Sequence, residues 1–277
     1  MKLIADSGST KTAWAVAENP MHVIKTDGIN PIFMDSDAIE NTLRTQLLPN
    51  LSQTITEVYF YGAGCANQEK NDVVKQALQA LFGDIKIEIA SDLLGAARGL
   101  CKHQDGIACI LGTGSNSCLY KNGNISWNVP ALGFILGDEG SGAVLGKLLM
   151  GNLFKNQLPD EVKTDFEQTY GLGMMDVIEK VYRQPLPNRF LASFGPFIAK
   201  HMAVQEVYNM VYGALESFIE RNVKQYPYQE IPVNFTGSIA YYFADILHNL
   251  ASKYHFQIGC IDKDPLQGLV DFHIKES

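Results

Sequence analysis

The feature that most narrows what this chain can fold into is a cassette of strand, Gly/Ser/Thr turn and strand that occurs twice. Residues 3–16 read LIADSGSTKTAWAV and residues 109–122 read CILGTGSNSCLYKN. Laid over one another at an offset of 106, they set Asp6 on Gly112, Gly8 on Gly114, Ser9 on Ser115 and Thr10 on Asn116. Each cassette stands at the head of a run in which short apolar segments give way to helical periodicity. Duplication of one α/β domain accounts for both.

The first copy is the easier to follow. Apolar runs at 2–5, 12–17 and 22–26, separated by short polar turns, predict three antiparallel strands. Helical spacing follows from Ser36 to Leu48 and stops at Pro49. A strand over 58–61, a helix over 69–82 and a strand over 85–89 come next, and Ser91 is placed to cap a helix reaching about 102. In the second copy, strands are expected at 107–111 and 117–121, with Asn122-Gly123 as a hairpin turn. A helix-rich stretch covers about 141–225, punctuated by Pro185, Pro187 and Pro196. A strand over 231–235, a helix over 238–252, a strand over 255–261 and a closing helix over 265–273 complete the chain. This predicts an α/β protein of two domains, each a mixed sheet with βββαβα order. The domains are 1–105 and 106–264, and the closing segment 265–277 is expected to pack back on the first.

Composition excludes several classes. A net charge of −8 over 277 residues gives no general attraction for nucleic acid or an anionic membrane. Any phosphate must be held by local backbone donors or a metal. The five cysteines form no CxxC pair and the six histidines no HExxH, so neither a zinc ribbon nor a zincin is encoded. The opening Met-Lys-Leu-Ile-Ala-Asp is too short an apolar run for a secretion signal, and the expected location is cytoplasmic. Gly140 to Lys147 lacks the P-loop spacing and is followed by Leu148; Gly112-Thr113-Gly114 lacks the third glycine of a dinucleotide fingerprint.

A tight Gly/Ser/Thr turn aims several backbone N–H groups at one point, which suits phosphate oxygens. Gly8 and Gly114 let the backbone approach a ligand where a Cβ would obstruct it. Asp6, at the end of the first strand, is placed to hold a magnesium ion, and Thr10 or Lys11 to meet phosphate oxygens. Gly237, opening a helix after a strand, would let a ligand come close to the backbone.

Asp6-Ser-Gly-Ser-Thr10-Lys-Thr12 resembles the first phosphate motif of the sugar kinase/Hsp70/actin superfamily. Gly112-Thr-Gly-Ser-Asn116 resembles its second, and Phe235-Thr-Gly-Ser-Ile239 its adenosine motif. With Ser91-Asp92 and Gly137-Asp-Glu-Gly-Ser141 added, the set resembles the N-acetylglucosamine kinase branch, which also contains ATPases that activate CoA-ester reductases and dehydratase-type enzymes. The resemblance runs over essentially the whole chain. It implies two actin-like, ribonuclease H-like domains flanking an ATP-binding cleft, and an ATP- and magnesium-dependent kinase acting on an amino sugar. A partner-activating ATPase is the alternative. It implies Asp92 as catalytic base, ATP held by Ser7, Gly8, Ser9, Thr10, Lys11, Gly112, Thr113, Gly114, Ser115, Gly237 and Ser238, and the sugar met by Asn30, Asp92, Thr113, Asp138 and Glu139. Sugar kinases of this kind pair up, so a homodimer is expected. One departure stands out: where the kinases carry Gly-Trp-Gly, this chain has Gly133-Phe134-Ile135-Leu136, which alters the pocket expected for the N-acetyl group.

Overall fold

Strand β1 (Lys2–Ser7) is the axis of the first sheet, and Leu3, Ile4 and Ala5 are all fully buried. A strand buried at consecutive positions needs cover on both faces. In the computed structural model, which describes residues 1–8, 10–17 and 21–274, that cover is present. β1 pairs antiparallel with β2 (Lys11–Val16), which pairs antiparallel with β3 (His22–Asp27). After α1 (Ser36–Thr42), β1 pairs in parallel with β4 (Glu57–Gly62). Then α2 (Gln68–Phe82) leads to β5 (Lys86–Ser91), parallel to β4, and to α3 (Asp92–Cys101). On one face Leu3, Ala5, Trp14 and Phe60 pack with Ile39, Val74 and Leu78 of α1 and α2. On the other, Ile4, Ala15, Tyr59 and Tyr61 meet the last helix of the chain.

The second sheet begins with β6 (Gly106–Leu111), β7 (Ser115–Lys121) and β8 (Asn124–Val129). Asn122 and Gly123 both take positive φ, 51° and 79°, as a tight hairpin turn demands. A run of helices comes next: α4 (Gly133–Leu136), α5 (Gly142–Phe154), α6 (Asp160–Tyr170), α7 (Met174–Tyr182), α8 (Pro187–Ala192), α9 (Gly195–Lys200) and α10 (Gln205–Arg221). Strand β9 (Val233–Thr236) pairs in parallel with β6; α11 (Ser238–Tyr242) and α12 (Ala244–Tyr254) lead to β10 (Ile258–Asp262), parallel to β9. The chain closes with α13 (Leu266–Ile274).

The sheet orders are β3-β2-β1-β4-β5 and, read in the same sense, β8-β7-β6-β9-β10. Each is third, second, first, fourth, fifth, so the duplication is structural. Its register differs from the sequence overlay: β6 starts 104 residues after β1, and β7 starts 104 after β2. Gly8 therefore corresponds to Gly112, not Gly114. Aligning identical Gly-Ser letters slid the overlay two positions past the strand ends.

The chain divides into two compact units. One comprises Met1–Gln104, Tyr120–Ile125 and the chain from Asp264 onward; the other comprises Asp105–Leu119 and Ser126–Lys263. In the first, α13 crosses α3 closely enough that a Cβ on Gly268 would strike the carbonyl of Gly99. Lys102 Nζ donates to Asp271 Oδ2 at 2.8 Å across the same pair.

Candidate functional site

In the first unit the sheet brings three parallel strand ends side by side. Register pairs Ser7 with Gly62 and Gly62 with Ser91, so β1, β4 and β5 stop in one row. Ligands of open α/β sheets bind beyond such carboxyl ends. Asp6 is one residue before the row on β1, and Asp92 one residue after it on α3. Ser91 Oγ caps α3 by accepting from Leu94 N at 3.2 Å. The Asp92 carboxylate does not cap the helix that way: its Oδ1 accepts from Leu93 N at 2.9 Å, and its own backbone N–H also bonds to it.

Electrostatics couple these two acids. Burial first, then Asp92 and Asp264, push the Asp6 carboxyl up to about 7, against Lys11, which draws it down. Burial raises Asp92 above the ordinary carboxylate range, opposed by backbone donors at the helix start. The helix N-terminus thus loses to desolvation, the reverse of the simple helix-dipole expectation. Asp264, just ahead of α13, was not singled out from sequence; its approach to Asp6 depends on that helix folding back onto the first unit. Cys65, 3% exposed, also lies near Asp92, and burial with that charge raises its thiol to about 12, which makes it inert.

Asn30 reaches the same edge. Its Oδ1 accepts from Ile32 N at 2.9 Å, and a Cβ on Gly64, which has φ of 86°, would collide with that oxygen. Ser7 is fully buried, with Oγ 2.7 Å from Thr12 Oγ1 and donating to Ile29 O at 3.0 Å, so it clips the 27–29 segment to the turn. Gly8, Thr10 and Lys11 are exposed around a turn closed by Gly8 N donating to Lys11 O at 3.0 Å. Ser9 lies outside the described residues.

In the second unit the equivalent edge is formed by β6 and β9. The Gly112–Ser115 turn is folded by Gly112 N donating to Gly114 O at 2.9 Å. Gly142 N and Ala143 N, at the start of α5, donate to the carbonyls of Gly112 and Thr113. Asp138, held at φ of 54°, leans over this turn: its carboxylate accepts from Ser115 N, and a Cβ on Gly114 would sit 3.0 Å from its Oδ2. Burial raises Asp138, the Ser115 N–H lowers it and Glu139 raises it. Gly237, at φ of 112°, packs so tightly that a Cβ would strike Leu111 O, which places the strand–helix turn of β9 beside the Gly112 turn. Ser238 is exposed there. Tyr241 and Tyr242, on the same short helix, are each 51% exposed, with Lys263 Nζ 5.8 and 5.7 Å from their ring centres. Sequence reading passed over these rings, although their spacing after Gly237 was visible.

Glu139 parts company with Asp138. Arg221 Nε donates to its Oε1 at 2.7 Å, and it lines a cavity of about 330 Å³ with Ala131, Leu132, Asn222 and Gln225. No residue of the Gly112–Ser115 turn lines that cavity. The adjacent acids of the Gly-Asp-Glu-Gly turn therefore serve different places. Four cysteines, Cys65, Cys101, Cys109 and Cys118, are buried.

No protein-family model matches the chain, and no curated protein does. Solved structures do. A candidate N-acetylglucosamine kinase from Porphyromonas gingivalis is 46% identical, with a TM-score of 0.96 and 99% of both chains covered. A second candidate N-acetylglucosamine kinase, from Chromobacterium violaceum, is 18% identical with a TM-score of 0.74 over 98% of both chains. MreB 5 of Spiroplasma citri, crystallised with AMPPNP, is 10% identical with a TM-score of 0.61, covering 99% of this chain and 95% of that one. The last two share the fold, which is that of the actin-like ATPases. Identity of nearly half over the full length of the first shows that this chain belongs to the same family as the Porphyromonas N-acetylglucosamine kinase candidate.

Proposed function

We propose that the protein is an ATP-dependent kinase that transfers the γ-phosphoryl group to a hydroxyl of an amino sugar, N-acetylglucosamine or a related cell-wall sugar. The observation that carries this reading is the Asp92 carboxylate, which leaves the capping of α3 to Ser91 and is raised by burial at the edge where Asp6 and Asn30 converge. A general base works best when its pKa approaches the working pH. Asp92 takes the proton of the attacking hydroxyl, the sugar oxygen bonds to the γ-phosphorus, the bond to the β–γ bridging oxygen breaks, and ADP leaves. Positioning and charge stabilisation supply most of the rest of such a reaction.

In the second unit Thr113 N and Gly114 N, between the engaged N–H groups of Gly112 and Ser115, are the turn's donors to the phosphates, and the Gly237–Ser238 turn with Tyr241 and Tyr242 offers a surface for the nucleoside. Asp138 and Thr113 meet the sugar. In the first unit, Gly8, Thr10 and Lys11 supply further phosphate contacts. Magnesium fits the residues present. The charges of Asp92 and Asp264 act on Asp6, which a cation would relieve. Asp6 would hold an ion that keeps most of its waters and neutralises the charge of the phosphates. An activity that consumes ATP belongs in the cytoplasm.

The test is ADP release with Mg-ATP against a panel of free and N-acetylated hexosamines. Turnover dependent on one amino sugar is the expected result; ADP release that no sugar stimulates would overturn the reading.

A further inference from the structure

On the face of the first sheet that α13 covers, the apolar packing is interrupted by a buried polar network. Tyr61 on β4 is fully buried and His273 on α13 is 1% exposed. Arg98 on α3 donates from Nη1 to the Tyr61 hydroxyl at 2.7 Å and to Glu88 Oε1 on β5. The Tyr61 hydroxyl lies 2.9 Å from His273 Nε2. Burial, then the cations Arg98, Lys2 and Lys86, push His273 down to about 3 and keep it neutral. Its Nε2 can therefore accept the Tyr61 proton while Tyr61 accepts from Arg98. Four elements, β4, β5, α3 and α13, meet at one guanidinium and one hydroxyl.

The importance of this network lies in what else holds α3. Two of the helix's closest contacts are at glycines: a Cβ on Gly95 would strike the Tyr61 side chain, and one on Gly99 the carbonyl of Pro265. Glycine contacts bring elements close but supply no knob to fill a groove, so they resist sliding along the helix axis poorly. The Lys102–Asp271 pair lies at the far end of α3 with both side chains partly exposed, where an ion pair is weak. Hydrogen bonds are directional, and a planar guanidinium gripped from two sides removes the remaining freedom. Asp92, the first residue of α3, stands about 9 Å along the axis from Arg98 at 1.5 Å per residue. A slip at Arg98 is therefore a slip at Asp92. The coupling does not run through charge, because burial and two backbone N–H groups are what shift the Asp92 carboxyl.

We infer that Tyr61 and Arg98 are positioning residues for Asp92: anchored on Glu88 and His273, they fix α3 along its axis and so set where the carboxylate meets the sugar hydroxyl. The inference rests on the reading of Asp92 as the base.

The experiment is steady-state kinetics of the full chain with Mg-ATP and the best acceptor among free and N-acetylated hexosamines, with near-ultraviolet circular dichroism to confirm that each variant is folded. Tyr61→Phe, which removes one oxygen, should lower kcat by about tenfold and leave the KM values for sugar and ATP within about twofold. Arg98→Lys, a second and independent variant, keeps the charge but loses the planar fork and should show the same split. Introduced into Asp92→Asn, Tyr61→Phe should cost less than about twofold, because its effect runs through the carboxylate. An unchanged kcat in both single variants would overturn the inference. So would a tenfold loss that persists in the Asp92→Asn background, which would mark general damage to the fold. Those results leave the kinase reading standing, whereas a wild type that no hexosamine stimulates defeats both.

Discussion

In the first unit the turn after β1 stands open, with Gly8 and Thr10 exposed and three carboxylates, Asp6, Asp92 and Asp264, gathered near it. In the second unit the corresponding turn after β6 is tied down, by two N–H donors from α5 and by Asp138 leaning over it. The strand order is the same in both, so the frame does not dictate the difference. The difference lies in the elements attached to that frame. The first unit places a helix start, Asp92, directly at the sheet edge and brings back α13 with Asp264. The second inserts a run of helices whose first long member, α5, packs onto the turn. Duplication supplied two equivalent sheet edges, and unlike additions gathered carboxylates at one and tied down the turn at the other.

The largest expected effect separates the acids of the two edges. Asp92→Asn should lower kcat by about 10³-fold with little change in sugar KM, whereas Asp138→Asn should act mainly through sugar KM. Equal collapse of kcat in both variants would mean that proton transfer is not confined to the first unit.

Two glycines of the second unit sharpen the comparison next. Gly237→Ala meets both a left-handed φ and the Leu111 carbonyl, and should cost about 1–3 kcal/mol in thermal or denaturant unfolding. Gly112→Ala meets nothing within 4 Å and should leave stability within about 0.5 kcal/mol. Its nucleotide affinity should nonetheless fall, by about tenfold in calorimetry, because the open side is where a ligand approaches. Normal nucleotide binding by Gly112→Ala would remove that turn from the site.

The smallest effect concerns pH. Asp6 is raised to about 7 from 3.8, so between those values the folded chain holds a proton that the unfolded chain has lost. Stability from this group is present at low pH and is lost as pH rises toward and through 7. The nucleotide-free, magnesium-free protein should melt a few degrees lower at pH 8 than at pH 5.5 on this account, and Asp6→Asn should flatten that slope. An unchanged slope in the variant would show that the acidic crowding of the first edge lies elsewhere.

Much of the frame was legible because hairpins and sheet-edge helices write themselves locally. Asn122-Gly123, Ser91 as a helix cap and Pro49 as a stop all act over a few residues. Even there the ending of the first helix was only partly readable: α1 ends at Thr42, a π-helical turn follows over Leu43–Leu47, and Pro49 sits inside a 3₁₀ turn over Leu48–Asn50. The helix expected over 238–252 is broken at Phe243, and the short α4 went unseen because it hangs on Leu132 and Gly133 at positive φ. Within the site, the residue types and their order were readable, but their pairings were not. Asp264 reaches Asp6 only through the return of α13, and Glu139 turns to Arg221 because Asp138 before it is left-handed. The rise of Asp92 depends on burial by side chains distant in sequence.

The central claim is that this chain moves a phosphoryl group to a sugar hydroxyl with Asp92 as the base. Phosphorus NMR of wild type and Asp92→Asn, each given Mg-ATP and N-acetylglucosamine, tests it most directly. The account predicts a new sugar-phosphate resonance growing in step with ADP for wild type, and its near absence for a folded Asp92→Asn. Inorganic phosphate in place of a sugar phosphate, or equal product from both proteins, would contradict it.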